Sequence, residues 1–503
     1  MKKLNRREFM GVAGSALAFT VVPSHVLGGT GYVAPSDKIN LALIGAGTQQ
    51  LGELTRLITD ERVQIVSVCD PNKEPVGYRA WSPDAGLRRR MREMIGNSTW
   101  YEGTQITAGR DVAHDFVNKY YAVKTGKANF AGCTAYADFR EMLEKESSID
   151  AVKIIVPDHL YPILAKAAMN KGRHVVMHKP MGNRVYELRK TIEQVEKHPE
   201  LTTHMLAWSS NERYAIVKKW IDDGLIGTLR EVHNWSYRPV WEQWTTYFTE
   251  KPPIPKGFDW SLWLGPWPDR PYHPNYTHTV YRSWFDFGAG SVADMGIYSL
   301  WPLFQTFGID SPPTVVEAYG NVTRTTDENG AQTVVPIKVA FPWTSVFRWK
   351  FPKIGTGAPL DLFWYDGGIK PNNPHELEAE DKVLASEGMM FVGDTGKILA
   401  GFRCETPRLI PEARMKAVTG SDKAPEITQA DATSTWIEAI LNKKQSPANF
   451  KSAAVVNETA LLAMVALRAG SRIKYDPANM KVTSPESANQ YLHRSEYRKG
   501  WEF

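Results

Sequence analysis

The sequence predicts an α/β protein in two parts. A doubly wound parallel sheet comes first, then an α/β domain built on an open, largely antiparallel sheet. Three observations lead there. Short, near-continuous Val/Ile/Leu runs alternate with helical patterns up to about residue 205. From about Leu206 the apolar residues alternate instead, with little helix between the runs. Strands buried on both faces read as continuous apolar runs, and half-buried ones alternate. Finally, 503 residues exceed what one ordinary core serves.

The chain opens "MKKLNRREFMGVAGSALAFTVVPSHVLGG", a basic start, an apolar run from Gly11 to Val22, then small residues. The run is too short to span a bilayer comfortably, so residues 1–30 read as an export signal rather than as fold. Arg6-Arg7 followed by Glu8-Phe9-Met10 has the pattern of a twin-arginine signal. That route carries folded proteins, which suits one that takes up a cofactor before export. The expected location is the periplasm or elsewhere outside the cytoplasm. No other apolar run reaches membrane length, so no span is expected in the mature protein.

"KINLALIGAGTQQLGELTRLI" starts with an apolar strand, Ile39 to Ile44, followed by a glycine turn and a helix pattern through Leu51, Leu54, Leu57 and Ile58. Gly45 permits a tight turn. Gly47 has no side chain, so a pyrophosphate can approach the backbone and the helix N-terminus beside Thr48 and Gln49. The third glycine of the dinucleotide fingerprint is missing, and Gln50 stands there. "VQIVSVCDPN" is a second strand ending on Asp70, 25 residues beyond Gly45. A carboxylate there would bond the adenosine ribose, which favours NAD. Lys73 and Arg79 close behind leave NADP open. A glycine turn in an unrelated α/β domain is the plain alternative.

Between Asp70 and Asp138 a polar, basic insertion containing "GLRRRMREM" reads as helical excursions outside the sheet, its arginines a solvated face. "IDAVKIIVPDH" is a third strand ending near Pro157, with a helix from about Leu160 to Lys171. "HVVMHKP" is a fourth, and "VYELRKTIEQVEK" another helix. Lys179 thus comes to the carboxyl edge of the sheet, where ligands bind in open parallel sheets. By local physics alone it is a solvated charge at a strand end. His174 and His178 share a strand face but sit about 13 Å apart, too far for one metal ion. Cys69, Cys133 and Cys404 are scattered and read as buried thiols, so no metal site is expected.

In the second part, "LREVHNWSYRP", "TVVEAYGNVT" and "TVVPIKVAFP" alternate like half-buried strands. Seven of the 17 tryptophans fall between Asn234 and Phe285, in a proline-rich, loop-rich segment of the kind that often carries function. Its belt of Trp235, Tyr237, Trp241, Trp244, Trp260, Trp263, Trp267 and Tyr272 divides between core packing and flat rings for the apolar faces of sugars. Trp235, Tyr237, Trp241 and Arg282 are the candidate substrate contacts. "GAGSVADMGIYSLW" places Asp294 and Tyr298 four apart, on one face of a helix start, or else as a polar helix start with a core tyrosine. "TALLAMVALRAG" is a last helix before a charged tail. A net charge of +5 carries no nucleic-acid footprint.

Together these pieces resemble the glucose–fructose oxidoreductase and inositol dehydrogenase family, Gfo/Idh/MocA, over nearly the whole chain after the signal. "LALIGAG" is similar to the family's cofactor loop and "VCDPN" to its ribose-binding strand end. "VPDHLYPILAKAAMNKGRHVVMHKPM" looks like its run ending in Glu-Lys-Pro, "GAGSVADMGIYSL" like its Asp-x-Gly-x-His helix, and "FVGDTGKIL" like a late strand pair. The tail "NQYLHRSEYRKGWEF" resembles an exported subgroup.

The resemblance implies a Rossmann NAD(P)-binding domain at 36–205. It also implies a substrate and oligomerisation domain at 206–503, whose C-terminal helix packs back on the first. A sugar or cyclitol would lie against the nicotinamide, and copies would associate through the open sheet as a homo-oligomer. Implied cofactor contacts are Gly45, Gly47, Thr48, Gln49, Asp70, Pro157, Asp158, His159, His178 and Lys179. Implied catalytic residues are Lys179, Asp294 and Tyr298. Two departures stand out: His178 replaces the glutamate that would orient the lysine, and Tyr298 replaces the histidine used as acid/base. Free tyrosine titrates at about 10, and a nearby Lys⁺ would lower that value. The expectation is that Tyr298 exchanges the hydroxyl proton, Lys179 polarises the oxygen and Asp294 orients the substrate. The expected function is exported, NAD(P)-dependent oxidation of a sugar or cyclitol with tightly bound cofactor. The alternatives are a glycoside hydrolase working by transient oxidation and elimination, and a non-catalytic sugar-binding protein.

Overall fold

The computed structural model describes residues 38–74, 85–104, 106–320, 322–355, 357–421, 427 and 432–503. The signal segment and Arg79 lie outside the described residues. Six strands, β1 (Ile39–Ile44), β2 (Val63–Cys69), β3 (Thr134–Tyr136), β4 (Ala151–Ile154), β5 (His174–Met177) and β6 (Thr203–Met205), form one parallel sheet in the order β3-β2-β1-β4-β5-β6. The order reverses between β1 and β4, so their carboxyl ends part and leave a crevice. Helix α1 (Thr48–Leu57) follows β1, α2 (Tyr161–Asn170) follows β4 and α3 (Val185–Lys197) follows β5. The basic insertion supplies helices at Ala85–Ile95 and Arg110–Thr125, whose apolar sides, with Met91, Val112 and Phe116, join the core of the sheet face that α1 covers.

The second sheet uses β7 (Leu229–Trp235) and β8 (Val315–Gly320). After a separate hairpin, β9 (Thr323–Thr326) with β10 (Gln332–Val335), it continues with β11 (Ser345–Phe351), β12 (Leu360–Tyr365), β13 (Gly388–Gly393) and β14 (Lys397–Ala400). It closes with β15 (Arg408–Ile410), β16 (Ile473–Asp476) and β17 (Lys481–Ser484). Their order is β15-β14-β13-β7-β12-β11-β8-β16-β17, and every neighbouring pair is antiparallel except β7–β12. "TVVPIKVAFP" departs from expectation. Only its first residues are a strand, an exposed hairpin arm, because Pro336 has no N–H to continue the ladder.

One face of this sheet buries Phe347, Trp349, Leu362 and Trp364 against α4 (Ile297–Phe307) and α5 (Phe450–Ala469). By length and composition α5 could cross a bilayer, which the sequence reading did not foresee; 72% of it is buried inside the protein, as befits a central core helix. It ties the two sheets together. Arg189 of α3 forks onto Glu458 of α5 at 2.5 and 2.7 Å. The tail then returns to the first domain: Arg494 and Glu187 pair at 2.8 Å with 0% and 1% side-chain exposure, and Trp501 packs on Phe139. The three cysteines are free and buried.

Candidate active site at the carboxyl edge of the parallel sheet

β1 ends in a turn that only glycine admits. Gly45 has φ +94°, and a Cβ there would overlap the carbonyl oxygen of Ile155 where β4 leaves the sheet. A Cβ on Gly47 would meet nothing within 4 Å, and no side chain caps the first turn of α1. The free N–H groups of that turn therefore suit an anionic group. Asp70, at the end of β2, accepts from the backbone N–H groups of Ala46 at 2.6 Å and Asn72 at 2.7 Å. Burial pushes its carboxyl up to about 6 against the pull of those two bonds. Gln50 explains the missing third glycine. It is 1% exposed, and its amide oxygen accepts from Lys153 at 2.9 Å, beside the Lys153–Glu53 ion pair at 2.6 Å.

A cavity of about 1060 Å³, open mouth included, runs over this turn. Gly45, Gly47, Thr48, Gln49, Asp70 and Pro157 all line it. Its other wall is Trp263, His278, Thr279, Tyr281, Arg282 and Trp501, brought from the aromatic segment and the C-terminal tail. Apart from Trp263, already in the aromatic belt, and Arg282, these carry no short-range signal in the sequence. The arrangement fits a nicotinamide dinucleotide, with an unobstructed backbone approach at Gly47, an uncapped helix start and a carboxylate at the ribose end.

Asp158 and His159 do not line the cavity, contrary to expectation. On the 3₁₀ turn Asp158–Leu160 both side chains are buried, each 1% exposed. Asp158 accepts from the Tyr281 hydroxyl at 2.9 Å and the Ala289 N–H at 3.0 Å, and burial pushes its carboxyl up to about 6. His159 Nε2 lies 3.0 Å from the Trp263 carbonyl, and burial drops its pKa to about 3. Both anchor the aromatic segment over the crevice.

His178 and Lys179 follow β5, 7% and 6% exposed; expected as cofactor contacts, neither lines the cavity. Lys179 Nζ bonds Asp294 Oδ1, and Arg282 Nε lies 3.0 Å from the same oxygen. Burial would raise the Asp294 carboxyl, but Lys179 and Arg282 hold it well below the usual carboxylate range. Asp294 sits in a π-helical turn, Val292–Gly296, that runs into α4; such turns recur at functional sites. Asp294 therefore supplies the carboxylate that the His178 replacement was expected to remove.

The Tyr298 expectation is corrected. Its hydroxyl lies 2.7 Å from His178 Nε2, while Lys179 Nζ stands 5.6 Å from its ring centroid and is tied to Asp294. Burial, with Asp294 adding to it, pushes the phenol up rather than down. His178 is dropped to about 3 by burial and by Lys179, so it is a neutral imidazole. Glu53 of α1 would be raised by burial but is held at about 2 by Lys153.

The aromatic belt is mostly core. Trp260, Trp263, Trp267, Tyr272 and Trp284 form a cluster of their own. Backbone carbonyls take the indole N–H groups, Trp260 to Arg270 at 2.7 Å and Trp267 to Asp286 at 2.5 Å, which lets a polar, proline-rich segment bury so many rings. Trp235 is corrected as a substrate contact: it is 1% exposed, packs with Leu377, Leu384 and Met390, and donates to Ala385 at 3.0 Å. Tyr237 is surface-exposed with Arg238 over its ring and does not line the cavity. Trp241 is buried with the Arg282 guanidinium 5.7 Å from its ring, at the edge of the charged cluster.

Residues 111–205 match the profile described as "Oxidoreductase family, NAD-binding Rossmann fold". Residues 211–331 and 377–503 match "Oxidoreductase family, C-terminal alpha/beta domain". A glycosyl hydrolase family 109 protein of Solibacter usitatus (strain Ellin6076) is 32% identical over 120 residues, 22% of this chain and 27% of that protein. A levoglucosan dehydrogenase of Pseudarthrobacter phenanthrenivorans is 29% identical over 110 residues, 20% of this chain and 27% of that protein. The chain thus matches about a quarter of the length of these curated relatives. Among solved structures, the WlbA dehydrogenase of Bordetella pertussis, in complex with NADH and UDP-GlcNAcA, superposes with TM-score 0.50 at 15% identity, covering 87% of this chain and 99% of that one. That likeness shows the fold alone.

Proposed function

We propose, from the premise that this chain belongs to the Gfo/Idh/MocA oxidoreductase family with its NAD-binding Rossmann domain, that it is an exported sugar oxidoreductase. It moves hydride between a CH–OH carbon of a sugar, sugar derivative or cyclitol and a tightly held nicotinamide. The observation that carries this reading is the charged cluster of Lys179, Asp294 and Arg282 beside the Tyr298–His178 pair. Arg282 joins it to the dinucleotide crevice, since it both lines the cavity and bonds Asp294.

NAD, when bound, supplies the hydride acceptor. Burial lowers the Lys179 pKa and Asp294 opposes that shift; as the ammonium of this ion pair Lys179 has N–H donors left for a substrate oxygen, on which it stabilises negative charge as the proton leaves. Tyr298 is a poor base alone because its phenol is pushed up. With His178 as its Nδ1–H tautomer, the phenol proton passes to Nε2 as Tyr298 Oη accepts the substrate's proton, and Nδ1 gives up its own proton to water in the same step, so the imidazole that burial and Lys179 keep uncharged ends neutral. Asp294 orients both cations. Export and tight holding go together, since the signal pattern at Arg6-Arg7 directs a folded chain to a compartment without a free nicotinamide pool. Association through the open face of the nine-stranded sheet belongs to the same proposal.

Purification without added cofactor tests it, with near-ultraviolet nicotinamide absorbance followed during addition of sugars and cyclitols. Growth or bleaching of the band is expected; no releasable nucleotide and no spectral change would overturn the reading. Replacing Arg6-Arg7 by Lys-Lys should abolish export. The segment shared with proteins named glycosyl hydrolase family 109 favours a second reading, in which oxidation is transient and elimination breaks a glycosidic bond. Release of the aglycone from aryl glycosides in the same assay distinguishes it.

A further inference from the structure

Beside the Tyr298 ring stands a charged side chain that this chemistry does not use. Arg403, half-buried in the turn after β14, holds its guanidinium carbon 4.2 Å from the Tyr298 ring centroid. Among the described residues it has no carboxylate at ion-pair distance. The carboxylate of its own turn is committed elsewhere: Glu405 Oε2 accepts from the Arg403 backbone N–H at 2.7 Å, and Oε1 faces Arg213 at 3.5 Å.

The turn is firmly placed. Gly401 N–H donates to the Glu405 carbonyl at 2.8 Å, and Cys404 N–H to the Gly401 carbonyl at 2.9 Å. The Phe402 carbonyl accepts from Asn234 Nδ2 at 3.2 Å, and Asn234 Oδ1 accepts from the hydroxyl of Ser299, the residue after Tyr298, at 2.5 Å. Arg403 is thereby fixed relative to the helix start that carries Tyr298. Held at that distance from the ring, the guanidinium carries five N–H donors, and none is paired with a carboxylate among the described residues.

The charge balance points the same way. Lys179 and Arg282 share Asp294, Glu53 is paired with Lys153, and Asp158 accepts from Tyr281 and Ala289. Even with Asp158 and Asp294 both ionised, two anions face the three cations Lys179, Arg282 and Arg403. One positive charge is left without a counter-charge, and it is the one placed over the reacting tyrosine.

We infer that Arg403 docks an anionic substituent of the substrate, a carboxylate or a phosphate, carried on a carbon other than the one oxidised. The substrate class is then an acidic sugar, such as a uronic or aldonic acid or a sugar phosphate. The inference rests on the oxidoreductase reading above. The guanidinium fork matches both anions with paired hydrogen bonds, which a lysine does not.

Calorimetric titration of the NADH-loaded protein tests it, with glucuronate, galacturonate, gluconate and glucose 6-phosphate set against the matched neutral sugars. At least one anion should bind about 10- to 100-fold tighter than its neutral match, as charged hydrogen bonds do, and added salt should narrow the gap. Whether the carboxylates or the phosphate show the gap identifies the group. Arg403→Gln should collapse the ratio of anion to neutral affinity, and Arg403→Lys should restore part of it; a merely structural role would weaken both ligands alike. Equal binding of every anion and its neutral match, no anion binding at all, or a preference retained in Arg403→Gln would overturn the inference. Failure of NADH to bind would count against the oxidoreductase reading instead, and the anion preference would then be read on the nucleotide-free protein.

Discussion

The Tyr298–His178 pair makes the sharpest prediction. The phenol and imidazole are 2.7 Å apart, and burial pushes both away from charging alone. If they pass the proton as one unit, Tyr298→Phe and His178→Gln each remove the whole relay. General acid–base transfer contributes roughly 100-fold or more, so each substitution should lower kcat by about that factor. The double variant should be about as slow as either single one, a coupling of about 2.7 kcal/mol. NADH affinity should hardly change, because neither side chain lines the cavity. Tyr298→Phe also leaves His178 Nε2 buried without its partner, which costs about 1–3 kcal/mol of stability and is read in a melting curve. The assay is single-turnover hydride transfer, repeated in heavy water. Full hydride transfer by Tyr298→Phe would remove the tyrosine from the mechanism. A double variant slowed by the product of the two single effects would show that the residues act independently.

Gly45→Ala forces a side chain into a left-handed position against the Ile155 carbonyl, so the fold should lose about 2 kcal/mol or more and nucleotide binding should fall with it, by melting and fluorescence titration. Gln50→Gly restores the fingerprint glycine but takes an acceptor from the 3%-exposed Lys153, so it should destabilise by about 1–3 kcal/mol in denaturant titration, not stabilise. Arg494→Leu leaves Glu187 buried without its partner and should cost about 3–5 kcal/mol, freeing the C-terminal tail to proteolysis. Acidification should destabilise the protein. Burial holds His159, His178, His204 and His278 at about 3, so below their ordinary 6.5 the unfolded chain takes up protons that the folded chain does not. Asp70, Asp158 and Asp366, raised by burial from 3.8 to about 6, act in the opposite sense. Burial lowers His174 and His493 as well, and Lys153 holds Glu53 down as Lys179 and Arg282 hold Asp294, so near pH 5 the unfolded chain binds more protons than the folded one and stability falls as pH falls; a slope of the opposite sign in melting curves would refute this balance.

Much of the site frame was legible in the chain. The glycine turn, the strand ending on Asp70 and the strand delivering Lys179 are each contiguous, and a strand's carboxyl end is a local property. The one-sided pattern of "SVFRWKF" and "LDLFWY" was equally present. The three-residue strands β3 and β6 are too short to show any period. Asp158 and His159 misled because a turn at a strand end can aim its side chains into the ligand site or away from it, and neighbouring residues do not say which.

By itself the sequence determined the order of elements, the division into a parallel and a largely antiparallel sheet, and the place of Lys179 at the edge where ligands bind. Periodicity carries that information, because it records which face of each element is buried. What faces what was decided only by the tertiary structure. Lys179 meets Asp294 across 115 residues and His178 meets Tyr298 across 120, and those pairings set the charge on the lysine and the partner of the phenol. The direction of the Tyr298 shift came from the same source. A pKa follows from burial and from the nearest charges, and here burial outweighs a lysine whose charge Asp294 already holds.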